Sequence, residues 1–238
     1  MTLPSTSTTF PPDELALYDR QIRLWGIDAQ ARMRTAHVLI INLSALSNEI
    51  AKNLVLAGIG QLSVFDSHSV TLEDLGSQFL LSSADIGKNK AQAAAYSIRK
   101  LNPRVTVNVV TEPVLSLQSD FFSQFDIIIA THLNLDDLLH FSGITRNLGK
   151  PFYAASLYGL YAYTFADIIE HDYILEIQVP PVDKKAASTK KIEKRHESHV
   201  ALAQALQSEF GKFLKNKTAA KVSPVLGCVL GILRSIIV

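Results

Sequence analysis

One cysteine, Cys228, stands in a chain of 238 residues. A lone thiol closes no internal disulfide, so the sequence points to a reducing compartment and away from a stapled secreted scaffold. An excess of one charge is missing too: 23 Lys and Arg stand against 22 Asp and Glu, a formal net charge of +1. That balance excludes a general nucleic-acid binder. The apolar share of 47% excludes a disordered chain and predicts a substantial buried core. The longest apolar stretch, Val222 to Val238, falls short of the ~20 residues a membrane-spanning helix needs. Arg234 also interrupts it, so it reads as a buried core helix and no membrane association is expected. Residues 1–12 lack the basic-then-apolar order of a secretory leader and read as a disordered tail rich in Ser, Thr and Pro.

Alternating elements are abundant. Pro11-Pro12-Asp13 reads as a helix start, with the helix running through Leu17, Tyr18, Ile22 and Trp25 until Gly26 breaks it. A second short helix carries Ala29, Ala31 and Met33. The β-branched run from His37 to Ile41 reads as a parallel strand covered on both faces. Ile50, Leu54 and Val55 then recur at helical spacing, closed by Gly58 and Gly60. The order repeats: strand at Leu62–Phe65, helix at Lys88–Leu101, strands at Val105–Val110 and Ile127–Ala130, helix at Asp136–Leu148, strand at Phe152–Ala154. This alternation predicts an α/β fold, a Rossmann-like doubly wound and mostly parallel sheet. Further strands are expected to extend the sheet between Tyr158 and Glu176.

The expected domain therefore spans 13–178. A basic linker follows over 179–198, in which Lys184, Lys185, Lys190, Lys191, Lys194 and Arg195 read either as a nuclear-import signal or as a solvated segment. C-terminal helices over 199–238, with Leu202, Leu206 and Phe210 on one face, are expected to return to the same domain.

A nucleotide-binding unit of this fold needs a glycine-rich turn after the first strand, because glycines let backbone N–H groups approach phosphate at a helix N-terminus. Here the turn is Asn42-Leu43-Ser44-Ala45-Leu46-Ser47, with no glycine. Asp66 ends the second strand where such folds place a ribose-binding acid, but without the glycines it reads as a cap for its own loop. A degenerate site that binds no nucleotide is expected.

The motif Tyr18-Asp19-Arg20-Gln21-Ile22-Arg23-Leu24-Trp25-Gly26 resembles the opening of the activating enzymes for ubiquitin and ubiquitin-like proteins. Residues 49–60 resemble their first crossover helix. Asp74-Leu75-Gly76-Ser77-Gln78-Phe79-Leu80 and Gly87-Lys88-Asn89-Lys90-Ala91 resemble the next landmarks. The resemblance runs in order from about Leu15 to Asp172, and residues 121–126 and 158–165 are most similar to the smaller subunits of SUMO-activating enzymes. The middle region, 176–220, is shorter than is usual there.

The resemblance implies a ThiF-like domain that forms the inactive half of a heterodimer. Active halves carry Asn and Arg before Gln-Phe-Leu and a magnesium-linked Asp after the fourth strand. Asp74, Ser77 and Leu133 stand at those positions, while Asp66 and Lys90 are kept. No cofactor or metal is expected on this chain; ATP and magnesium belong to the partner. The family's opening-motif arginine reaches across to the partner's ATP, and it matches Arg20, with Arg23 one turn further on as the fallback. The catalytic cysteine is expected in the partner chain, Cys228 being assigned to packing. The implied role is support of SUMO adenylation and thioester formation in the nucleus, with SUMO met through the complex. The alternatives are the inactive subunit of a neddylation-activating enzyme, a pure heterodimerisation scaffold, and an NAD-dependent oxidoreductase. The missing glycines count against the last.

Overall fold

The computed structural model describes residues 10–113, 117–179 and 189–207. Helix α1 (Pro12–Trp25) starts with proline at its first turn, and Gly26, at φ +87°, ends it and leads into α2 (Ile27–Thr35). Strand β1 (His37–Ile41) is followed by α3 (Ala45–Ala57), β2 (Gln61–Phe65), α4 (Lys90–Leu101), β3 (Thr106–Val110) and the short α5 (Ser119–Phe122). Then come β4 (Ile127–Thr131), α6 (Leu135–Asn147), β5 (Phe152–Tyr158), β6 (Tyr161–Asp167), β7 (Glu170–Val179), β8 (Thr189–Ser198) and α7 (Leu202–Gln207).

Six strands form one sheet in the order β3-β2-β1-β4-β5-β6, parallel except for the antiparallel β6. The order reverses between β1 and β4, the switch point at which such sheets bind ligands. Both faces are covered, which is why the strands read as unbroken β-branched runs. Val38, Ile40, Leu62 and Val64 face Ala51 and Val55 of α3 and Ala94 and Ile98 of α4. Leu39, Ile41, Phe65 and Ile128 face Phe122, Phe141 and Leu202. Each such side chain contributes roughly 1.5–3 kcal/mol by leaving water, so these two clusters hold the domain together.

Two expectations differ from what is found. Strands do follow Tyr158, but only β6 extends the sheet; β7 leaves it and pairs with β8 as a separate two-stranded ribbon. The basic segment expected as a linker over 179–198 therefore contains a ten-residue strand, Thr189–Ser198. Cross-strand pairing contributes to it: His196 stands opposite Asp172 and lies 2.7 Å from it, and the Tyr173 hydroxyl donates to Glu197 at 2.7 Å. The ribbon's base is clamped. Arg146 donates to both Asp167 carboxylate oxygens, at 2.8 and 2.6 Å, and to the His199 carbonyl at 3.0 Å. Ile169, a β-branched residue at φ +66°, takes an unfavourable left-handed conformation at the corner. It is held there by Asp167, which accepts from its N–H, and by His199, which donates to its carbonyl. Of the expected C-terminal helices, α7 is described; Cys228 and the apolar segment 222–238 lie outside the described residues, as do the first nine.

Candidate functional site: a closed switch-point cleft and an exposed arginine

At the carboxyl ends of β1, β2 and β4 lies a cleft of about 240 Å³ lined by Asn42, Asp66, His68, His132, Leu133 and Asp137 among others. It is smaller than the ~300–1,000 Å³ usual for ligand sites. The turn above it keeps the shape of a glycine turn without its function. Asn42 sits at φ +66°, a left-handed backbone that asparagine tolerates better than most side chains. Its Nδ2 donates to the carbonyls of Thr131 and His132 at 2.9 and 3.1 Å, and Thr131 Oγ1 donates back to the Asn42 carbonyl at 2.7 Å. His132 also has positive φ, +50°. These bonds stitch β1 to β4 across the switch point.

Four of the turn's six backbone donors, those of Asn42, Leu43, Ser44 and Ser47, are already in use. The Asn42 N–H bonds the Phe65 carbonyl, the Leu43 N–H bonds Asp66 Oδ2 at 2.8 Å, and the Ser44 N–H bonds Ser47 Oγ. The Ser47 N–H in turn bonds Ser44 Oγ, which caps α3. Asp66, 1% exposed, accepts from Leu43 N through one oxygen and from His68 N and Nδ1 through the other. The capping role expected from the sequence is the one its bonds describe.

Lys90 is likewise engaged. Its Nζ lies 2.8 Å from Asp74 Oδ1 in a pair whose side chains are 15% and 12% exposed. Gln78 Nε2 donates to that oxygen and, more weakly at 3.4 Å, to the Leu43 carbonyl, tying the 74–80 segment to the turn. Burial pushes the Asp74 carboxyl up, but Lys90 and the N–H and hydroxyl of Thr71 outweigh it and hold the group below the usual carboxylate range. The Asp74–Lys90 pairing could not be read from residues sixteen apart. Leu133 packs against the second core cluster and offers no ligand atom. Among the described residues no group of His, Cys, Asp and Glu could hold a metal ion. The cleft's residues do not fit ATP and magnesium.

Arg20 is at the other end of the sheet. Helix α1 packs on the loops that precede β2 and β3: the Tyr18 hydroxyl accepts from Asn102 Nδ2 at 2.8 Å, and its ring lies against Gly58. Gln21 Nε2 donates to the Leu56 carbonyl, and Gln30 joins Trp25 Nε1 to the Ala57 carbonyl. Arg20 is exposed on this pinned helix and has no ion-pair or hydrogen-bond partner among the described residues. Arg23, by contrast, is held by Asp19 at 3.0 Å. The structure separates the two candidate arginines: the first is free and the second is occupied.

A doubly wound α/β domain with a self-satisfied turn at its switch point is thus defined. The chain belongs to the ThiF family, whose pattern matches residues 18–225. It is 49% identical over 158 residues to the DNA damage tolerance protein RHC31 of Saccharomyces cerevisiae, covering 66% of this chain and 46% of that protein. It is 37% identical over 223 residues to the DNA damage tolerance protein rad31 of Schizosaccharomyces pombe, covering 94% and 70%. It is 41% identical over 164 residues to SUMO-activating enzyme subunit 1 of Homo sapiens, covering 69% and 47%. The matched regions thus span about half the length of the budding-yeast and human relatives. The crystal structure of Escherichia coli MccB with succinimide shares the fold at a TM-score of 0.53 and 19% identity, covering 59% of this chain and 44% of that one.

Proposed function

We propose that this chain acts as the smaller, non-catalytic subunit of a heterodimeric SUMO-activating enzyme, pairing with a cysteine-bearing subunit that holds ATP and magnesium. The observation that carries the reading is the contrast between two sites. The N–H groups of Asn42, Leu43, Ser44 and Ser47 and the Lys90 ammonium are satisfied from within, while Arg20 stands exposed and unpaired on a fixed helix. The likeness to SUMO-activating enzyme subunit 1 supports the pathway.

In adenylation, the SUMO C-terminal carboxylate attacks the α-phosphate and pyrophosphate leaves. Arg20 reaches across the dimer and neutralises the negative charge that develops there. A guanidinium suits this role because it stays charged and presents a rigid fork of donors. The acyl group then passes to the partner's cysteine as a thioester, and AMP departs. The reading carries a nuclear location with it, which imaging of the tagged chain tests.

SUMO-dependent ATP–pyrophosphate exchange, measured for this chain, for its partner and for the mixture, tests the proposal. Exchange in the mixture alone is expected; exchange by this chain alone overturns it. Running the assay with the ubiquitin-like protein of the neddylation pathway separates that alternative. A scaffold reading predicts normal exchange from a complex carrying Arg20→Ala, whereas a loss of about 10²-fold or more is expected for a charge-stabilising group.

A further inference from the structure

Arginine stands three residues before a serine or threonine at two places, Arg32 before Thr35 and Arg195 before Ser198. That spacing is the charge pattern by which basophilic protein kinases choose substrates, and they bind the acceptor in an extended chain. The fold treats the two acceptors differently. Thr35 ends helix α2, and its hydroxyl is turned back onto the carbonyls of Ala31 and Arg32. Ser198 ends strand β8, which is already extended and has one edge unpaired among the described residues. Lys194, Arg195 and Ser198 are all exposed. Arg195 meets Glu193 at 3.1 Å, a surface pair that a competing carboxylate displaces at little cost. Ser198 also stands directly opposite Glu170 in the ladder, and its Oγ donates to Glu170 Oε2 at 2.7 Å. His196 Nε2 approaches the same oxygen at 2.8 Å, with its Nδ1 2.7 Å from Asp172. Hydroxyl and imidazole therefore converge on one carboxylate at the base of the ribbon.

We propose that Ser198 is a phosphorylation site for a basophilic serine/threonine kinase, and that its phosphate unlatches the base of the β7–β8 ribbon. The kinase transfers the γ-phosphoryl group of ATP to Ser198 Oγ. The Oγ–P bond forms, the bond from the γ-phosphorus to ADP breaks, and the hydroxyl proton passes to the kinase's own carboxylate base. The hydroxyl that donated to Glu170 becomes a group of about −1.5 to −2 charge facing that carboxylate across the ladder. Like charges directly opposite one another destabilise a strand pair. One imidazole, that of His196, then faces Glu170, Asp172 and the phosphate together, while Arg146 is held by Asp167 and the His199 carbonyl. The ladder opens from its base. The six-stranded sheet shares no ladder with the ribbon and stays closed.

The test treats the full chain with MgATP and the catalytic subunit of the cAMP-dependent protein kinase, a basophilic probe, and maps phosphate by tandem mass spectrometry. Phosphate is expected on Ser198 and not on Thr35, with the rate falling about tenfold or more in Arg195→Ala. Arg195 is exposed, so that variant keeps its melting temperature. No phosphate on Ser198, or an equal rate in Arg195→Ala, overturns the site. In the phosphorylated chain, amide exchange across 170–198 should quicken about three- to fivefold while the sheet keeps its protection. Exchange at the unmodified rate overturns the unlatching. Ser198→Ala loses the hydrogen bond without gaining charge, and its exchange should quicken less. A change as large as that caused by phosphate also overturns the unlatching by charge.

Discussion

Lys90 Nζ lies 2.8 Å from Asp74 Oδ1, with Gln78 donating to the same oxygen. The cation is neutralised by a carboxylate of its own chain. Two charges so largely removed from water are tolerated because each is the other's partner.

Asp74→Ala should therefore destabilise the domain by about 2–4 kcal/mol, since it strands Lys90 and leaves the Thr71 donors unmatched. Urea denaturation measures this. ATP added to the wild-type chain should give no saturable heat in calorimetry up to about 1 mM.

Acid should act through the same region. Asp74 is held below its usual range, and Asp85 is lowered to about 2, chiefly by the Ser82 hydroxyl and then Lys88. Both folded values lie below the unfolded ones, so their contribution is present above about pH 4 and is lost as pH falls toward 2. A midpoint in urea that falls over that window in wild type, and falls less in Asp85→Asn, is the expected result.

Gly58 has φ +82°, and a Cβ added there would meet the Tyr18 ring at 2.4 Å. Gly58→Ala should cost about 2–4 kcal/mol from backbone strain and overpacking together. It should also loosen α1. The check is faster amide exchange across residues 12–25 than in wild type.

Arg146 clamps the ribbon through a nearly buried Asp167. Arg146→Ala leaves that carboxylate without its cation, at a cost of roughly 3 kcal/mol. Amide exchange should rise first in residues 170–198, while the six-stranded sheet keeps its protection.

His196 places Nδ1 2.7 Å from Asp172 and Nε2 2.8 Å from Glu170, with Ser198 hydrogen-bonded beside them to Glu170. Two acceptors require both ring nitrogens to carry protons, and Asp172 first, then Glu170, raises the group above its usual value. The ribbon should thus be tightest below pH 6.5 and lose this tie as pH rises through the raised folded value. Histidine chemical shifts followed against pH report it, and His196→Gln should flatten the ribbon's response.

Most of the sheet was legible because its strands are continuous apolar runs between helical periods. His37–Ile41 was read at its observed bounds, and Gly26, Gly58 and Leu101 marked real helix ends. The loss of the glycine turn was legible for the same reason: a residue type was missing where the backbone needs it. What replaced it was not. The stitching of Asn42 to Thr131 joins residues 89 apart, and no local pattern encodes such a pairing. Strand β8 was hidden because Lys191, Lys194 and Arg195 remain exposed, so no apolar alternation separates the strand from a solvated tail.

The left-handed Asn42 also bears on how such a chain could change. Its amide welds two strands together where a glycine turn would stand, and Asp66, Ser47 and Asp74 each take up a neighbouring donor. Restoring one glycine would remove part of that weld without opening the loop, because the remaining partners still hold their donors. A first substitution toward a glycine turn therefore loses stability before it frees the loop. The turn works as a ratchet: the bonds that keep the fold are the same bonds that keep the loop shut.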